Sequence, residues 1–134
     1  MVPEDESHAK DIFPSSVVLA FIYDVQDRNG KTRPCLVIKS EELKALVLAI
    51  TTTFDPDNLQ PDEIRLPYSE NCGTGLDQPN VVKCRWFDVI ELWRCTQIGR
   101  VPAKLMGPII ETFRRVNSES EVKEKLEQSK NDPP

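Results

Sequence analysis

Six consecutive apolar residues, Ala45-Leu46-Val47-Leu48-Ala49-Ile50, end abruptly at Thr51-Thr52-Thr53. The run is too short for an ordinary helix and lacks the alternation of a half-solvated strand, so it reads as a strand covered on both faces. Such a strand needs neighbours, and the chain supplies them as short β-rich runs separated by turn signals. A first strand is expected at about 16–24, where Val17-Val18-Leu19-Ala20 falls, and a second at Pro34 to Lys39. Between them, Asp27-Arg28-Asn29-Gly30 carries the Asn-Gly step that tolerates the positive φ of a tight hairpin turn. Ser40 to Lys44 make a polar turn before the third strand, Ala45 to Thr52.

The second half continues in the same style. Residues 54–61, with two prolines and two aspartates, form a loop into a strand at about 62–67. Asn71 to Pro79 is rich in turn residues, and Asn80 to Trp86, Asp88 to Trp93 and Gln97 to Val101 read as three further short strands. Strands this short and this regularly spaced predict a mainly β domain, a small SH3-like barrel, with a C-terminal helix. From Pro102 onward, Leu105, Ile109, Phe113 and Val116 recur at helical spacing, although Gly107-Pro108 predicts a kink or two short helices. Ser118-x-x-Glu121 is a capping box for a further helix to about 129, which has only Val122 and Leu126 to bury. That helix is expected to be solvated or docked on a partner.

Charge divides the chain into three parts. The net charge is −5 over 134 residues, yet residues 14–116 hold 13 basic and 13 acidic side chains. Residues 1–13 read as a disordered acidic leader, 14–116 as the folded domain, and 117–134 as a polar helical tail. A neutral domain has no broad field to draw in nucleic acid, so any such binding must rest on a local cationic patch. The cysteines at 35, 72, 84 and 95 form no Cys-x-x-Cys pair, which argues against zinc. With an acidic N-terminus lacking an apolar run, they read as reduced thiols of a soluble cytoplasmic protein. The single histidine, His8, falls in the leader, which excludes catalysis by paired histidines.

Two side chains stand out chemically. Arg33 opens the Arg-Pro step near the base of the first hairpin, and Thr51 ends the apolar strand. Each has a plain structural explanation, as a surface cation and as a β-branched strand residue. Together they offer a permanently charged, forked donor and a hydroxyl, which is a combination suited to a phosphodiester.

The runs Val17-Val18-Leu19-Ala20, Arg33-Pro34-Cys35-Leu36-Val37-Ile38, Val47-Leu48-Ala49-Ile50-Thr51, Thr74-Gly75-Leu76, Asn80-Val81-Val82 and Ile98-Gly99-Arg100-Val101-Pro102 resemble the MazF/PemK family of endoribonuclease toxins. The likeness covers about residues 15–116. It implies an SH3-like barrel, catalysis by Arg33 and Thr51, and cleavage of single-stranded RNA without a metal or other cofactor. It also implies a homodimer whose RNA groove lies at the subunit junction, and a protein antitoxin that blocks the groove with an acidic segment. Two departures are visible. Ser15-Ser16 stands where the family has Gly-Asp, and Val81-Val82-Lys83-Cys84-Arg85 stands where PemK-type members have Val-Val-Arg-Cys-Asp. Lys83 keeps a charge without the guanidinium fork, and Arg85 reverses the charge of the aspartate.

Thr52, Lys83 and Arg85 are the candidates for holding substrate, the last two pointing by period two to one face, where they are either the cationic patch or a plain pair of solvent-facing strand charges. Asp24, Asp27 and Asp77 are the carboxylates available for proton transfer, with a turn or surface role the simpler explanation of each. Trp86, Phe87 and Trp93 offer rings for base stacking, with core or interface packing the competing explanation. Two rivals to the nuclease stay open: a catalytically lapsed barrel serving as a protein-interaction module, favoured by the altered 83–85 segment, and a nucleic-acid binder that does not cut, disfavoured by the neutral domain.

Overall fold

The computed structural model describes residues 12–23 and 30–131, with side-chain surroundings for 12–21 and 32–127. Most of the acidic leader with His8, and the Asp27-to-Asn29 part of the first turn with Asp24, lie outside the described residues. Six strands form one antiparallel sheet: β1 (Ser16–Tyr23), β2 (Gly30–Glu41), β3 (Lys44–Thr51), β4 (Glu63–Arg65), β5 (Val81–Glu91) and β6 (Thr96–Arg100). Their spatial order is β4-β5-β3-β2-β1-β6. Among the described residues β4 and β6 do not pair with each other, so the barrel-like sheet stays open at that seam.

The central place of β3 follows from its composition. All six residues from Ala45 to Ile50 are buried. Leu46, Leu48 and Ile50 join Val17, Leu36 and Val82 in a core on one face, while Ala45 and Val47 join Val18, Ala20, Cys35 and Val37 on the other. Alternate side chains of one strand thus serve two cores, which is why the run has no polar alternation.

Helix α1 (Ala103–Val116) closes the first core with Met106, Ile109 and Phe113, and the Phe113 ring meets Phe87 edge-on at 5.6 Å. Buried Asn117 ends this helix, its amide donating to the carbonyls of Cys84 (2.7 Å) and Phe113 (3.0 Å) and so tying the helix end to β5. Helix α2 (Glu119–Asn131) starts as expected, with Glu121 N–H donating to Ser118 Oγ. It docks on this domain: Val122 packs against the first core and Lys125 pairs with Asp88 at 3.4 Å.

Two elements differ from the sequence reading. α1 runs unbroken through Pro108. Pro108 and Lys104, whose carbonyl loses its donor, are both exposed, so water can satisfy that oxygen without a break. The two strands expected from Asn80 to Trp93 are instead the single long β5, followed by a 3-10 turn at Leu92–Arg94. Against β3 its register jumps from Ala49↔Lys83 to Leu48↔Phe87, leaving Cys84, Arg85 and Trp86 in a bulge.

The departure at Ser15 has a structural signature. Ser15 has φ +92°, a region suited to glycine. It is held there from both sides, its N–H donating to Val37 O and its carbonyl accepting from Val101 N–H, each at 2.9 Å. Ser16 is wholly buried and fills the next position with polar contacts, accepting from Phe13 N–H and donating to Gln97 Oε1.

Candidate active site

The β2–β3 ladder has its last pair at Cys35↔Ala49, whereas β3 pairs with β5 as far as Thr51↔Val81. The next residue of β2 is Pro34, which has no N–H to donate, and the ladder stops beside it. Continuing the register two residues sets Arg33 across from Thr51. The strands part here, and a cleft of about 570 Å³ opens, lined by Arg33, Thr51 and Thr52. Its volume suits a small ligand or one part of a larger one.

Thr51 is prepared as a donor. Thr53 N–H donates to its Oγ1 at 3.0 Å, which fixes the oxygen and leaves its own proton free to point outward. Arg33 is half-buried, and among the described residues no carboxylate pairs with it. A guanidinium, a hydroxyl and the exposed Thr52 therefore face one space.

The opposite wall is the 73–80 loop, and its position is set by two glycines. A Cβ on Gly99 would lie 2.3 Å from the Thr74 carbonyl carbon, and one on Gly75 would lie 2.3 Å from Ile98 O. The backbones of the loop and β6 consequently touch, with Arg100 N–H donating to Gly73 O at 2.8 Å. Thr74 is buried and anchors the loop by donating to Pro67 O and accepting from Leu76 N–H. This brings Leu76, Asp77, Gln78 and Asn80 to the cleft, facing an apolar side made by Leu19, Pro34 and Ile98. Of the carboxylates considered from sequence, Asp77 lines the cleft.

Lys83 and Arg85 do not. Lys83 lies 3.0 Å from Glu63 and 3.5 Å from Asp62, with its ammonium over the Trp86 ring at 5.1 Å. The Gln60 N–H, first, and then Lys83 hold the Glu63 carboxyl below the usual carboxylate range against the opposing effect of burial. Lys83 adds no free charge to the expected cationic patch, because two acids already match it, and Arg85 lies in the bulge without a partner on β3. Arg85 is exposed on that bulge, outside the cleft. Trp86 and Trp93 are exposed, whereas Phe87 packs on Phe113.

The cysteines carry no shared site. Burial first pushes the Cys35 and Cys84 thiols up to about 12 and Cys95 to about 11. Hydrogen bonding with Thr74, through its side chain and its backbone, brings the half-buried Cys72 down to about 7.

Sequence reasoning named Asn80 only as the start of a strand and as part of the Asn80-Val81-Val82 run, and gave it no role in the site. Its arrival in the cleft depends on the glycine contacts between the loop and β6, which join residues far apart in sequence.

A model of the PemK-like, MazF-like toxins of type II toxin–antitoxin systems matches residues 15–116. The chain belongs to that family. The match spans the same segment as the sequence motifs. Family structures share the fold: a chain of the MazE–MazF structure from Deinococcus radiodurans is 16% identical with TM-score 0.60, covering 78% of this chain and 94% of that one. Toxin MazF-mt6 of Mycobacterium tuberculosis is 24% identical with TM-score 0.57, covering 75% and 93% respectively. An endoribonuclease in complex with its cognate antitoxin, from a mycobacterial species, is 14% identical with TM-score 0.57, covering 78% and 92%. No curated protein matches the chain in sequence. Among the described residues no helix is long and apolar enough to cross a membrane.

Proposed function

We propose that this family member is a sequence-selective, metal-independent endoribonuclease acting on single-stranded RNA, a toxin-like growth inhibitor. The observation that carries the reading is the meeting of Arg33, Thr51 and Thr52 on one cleft in a chain of this family. Cleavage proceeds by attack of a ribose 2′-hydroxyl on the adjacent phosphorus. Arg33 clamps the scissile phosphate, matches the negative charge that grows on its oxygens and helps protonate the departing 5′-oxygen. The Thr51 hydroxyl donates to a second phosphate oxygen, and Thr52 holds the strand beside it. Asp77 is the cleft-lining carboxylate assigned to receive the 2′-hydroxyl proton. The products are a 2′,3′-cyclic phosphate and a 5′-hydroxyl.

Arg85, on the exposed bulge, contacts RNA outside the cleft, and Lys83 serves the fold. The protein acts as a homodimer, with a protein antitoxin covering the groove, as the antitoxin complexes among its structural relatives support. Incubating a long single-stranded RNA with the protein in EDTA, and mapping fragment ends, tests the reading. Discrete cuts with 5′-hydroxyl ends, slowed about a hundredfold or more in Thr51→Val, are expected. Intact RNA, or fragments bearing 5′-phosphates, would contradict it and move the assignment to a non-cutting interaction module.

A further inference from the structure

Asn80 immediately precedes Val81, the residue that pairs with Thr51, and both Asn80 and Thr51 line the cleft. Asn80 is 3% exposed. Its Nδ2 donates to Gln78 O at 3.0 Å, which settles the orientation of the amide. Its Oδ1 is buried and accepts no hydrogen bond among the described residues. A buried amide oxygen with no donor is rare in native proteins, because it gives up its hydration for nothing. Asn80 is among the residues that line a ligand-sized cleft, so a ligand entering it can bring the missing donor once the wall shifts enough to admit it.

We infer that Asn80 Oδ1 accepts an N–H from the edge of a nucleobase held in this cleft, and so sets which base lies beside the cut. The inference rests on the endoribonuclease reading above. The chemistry of the position selects the base over the other parts of RNA. An acceptor oxygen repels a phosphate, which offers only acceptors. The apolar side of the cleft at Leu19, Pro34 and Ile98 suits the flat face of a base better than a hydrated ribose. The Nδ2 bond to Gln78 pre-orders the amide, so recognition needs no rotamer search. Every base edge carries an amino or imino N–H, and its position on the ring decides which base meets Oδ1.

The test is cleavage of a random-sequence RNA pool by the full-length wild type and by Asn80→Ala, with the sequences around the cuts read out. Wild type should prefer one base at a fixed position next to the cut, and Asn80→Ala should relax that preference by roughly tenfold to a hundredfold. A second arm needs no variant. In the preferred RNA, that base is replaced by an analogue in which hydrogen replaces the exocyclic amino group or methyl blocks the ring N–H. Wild type should slow by a similar factor, while Asn80→Ala should not distinguish analogue from parent. Unchanged preference in the variant, uniform slowing at every sequence, or indifference of wild type to the analogues would each overturn the inference while leaving the nuclease standing. A wild type that cuts no RNA removes both.

Discussion

Replacing Lys83 with methionine separates a structural role from contact with RNA. Methionine keeps most of the aliphatic stem and removes the ammonium, leaving Asp62 and Glu63, whose side chains are 9% and 5% exposed, without their cation. Breaking such a pair from one side typically costs about 3–5 kcal/mol. Here Glu63 keeps the Gln60 N–H at 2.7 Å, which places the expected loss near the lower end, about 3 kcal/mol. For a chain of this size that corresponds to roughly 10 °C in Tm. The pH dependence adds a second signature. In the wild type the Glu63 carboxyl is held below its ordinary value of 4.5, so its contribution is present above that value and lost as pH falls through the depressed folded one. In the variant the Glu63 carboxylate, without its cation, gains by protonation, so the gap between the two proteins should narrow from pH 7 to pH 4. Urea unfolding at both pH values measures this, and cleavage by the folded fraction should match wild type. Unchanged stability combined with impaired cleavage would refute the reasoning and return Lys83 to the substrate.

Ser15→Gly should stabilise the protein by about 1 kcal/mol, because relief of strain at φ +92° exceeds the added freedom of the unfolded chain; a lower urea midpoint would count against it. Gly99→Ala should cost about 2–4 kcal/mol, since its Cβ meets the Thr74 main chain, and should slow RNA cleavage beyond the loss of folded protein because the cleft wall moves; a wild-type melting curve would show the contact to be soft. Alkylation of the native protein should fall on Cys72 alone among the four thiols, its rate rising as pH passes through about 7, with peptide mapping as the readout and labelling of Cys35 or Cys95 as the contrary result.

What could be read from sequence follows the range of the interactions involved. The two-faced burial of Ala45 to Ile50 is a property of the run itself, and the structure has it as the central strand. The Arg-Pro step and the threonines at the end of that run lie in adjacent strands, so their meeting needs only one hairpin. Longer-range facts were hidden. Lys83 looked like a free cation because its partners, Asp62 and Glu63, lie twenty residues away across the β4–β5 ladder. The bulge at Cys84 to Trp86 cannot be read from period two, which it breaks. Pro108 marks a helix end in sequence, yet α1 packs Met106, Ile109 and Phe113 on the sheet, and that burial outweighs one missing hydrogen bond on the exposed side. Asn80 gave no local sign of its unpaired oxygen, because the cleft around it is assembled by the close approach of Gly75 and Gly99 to neighbouring backbone.

The most direct measurement is the single-turnover rate of RNA cleavage in EDTA by wild type and by Arg33→Ala of equal thermal stability. The account predicts cuts with 5′-hydroxyl ends and a fall of about a hundredfold to a thousandfold on losing the guanidinium. Equal rates for the two proteins would contradict it.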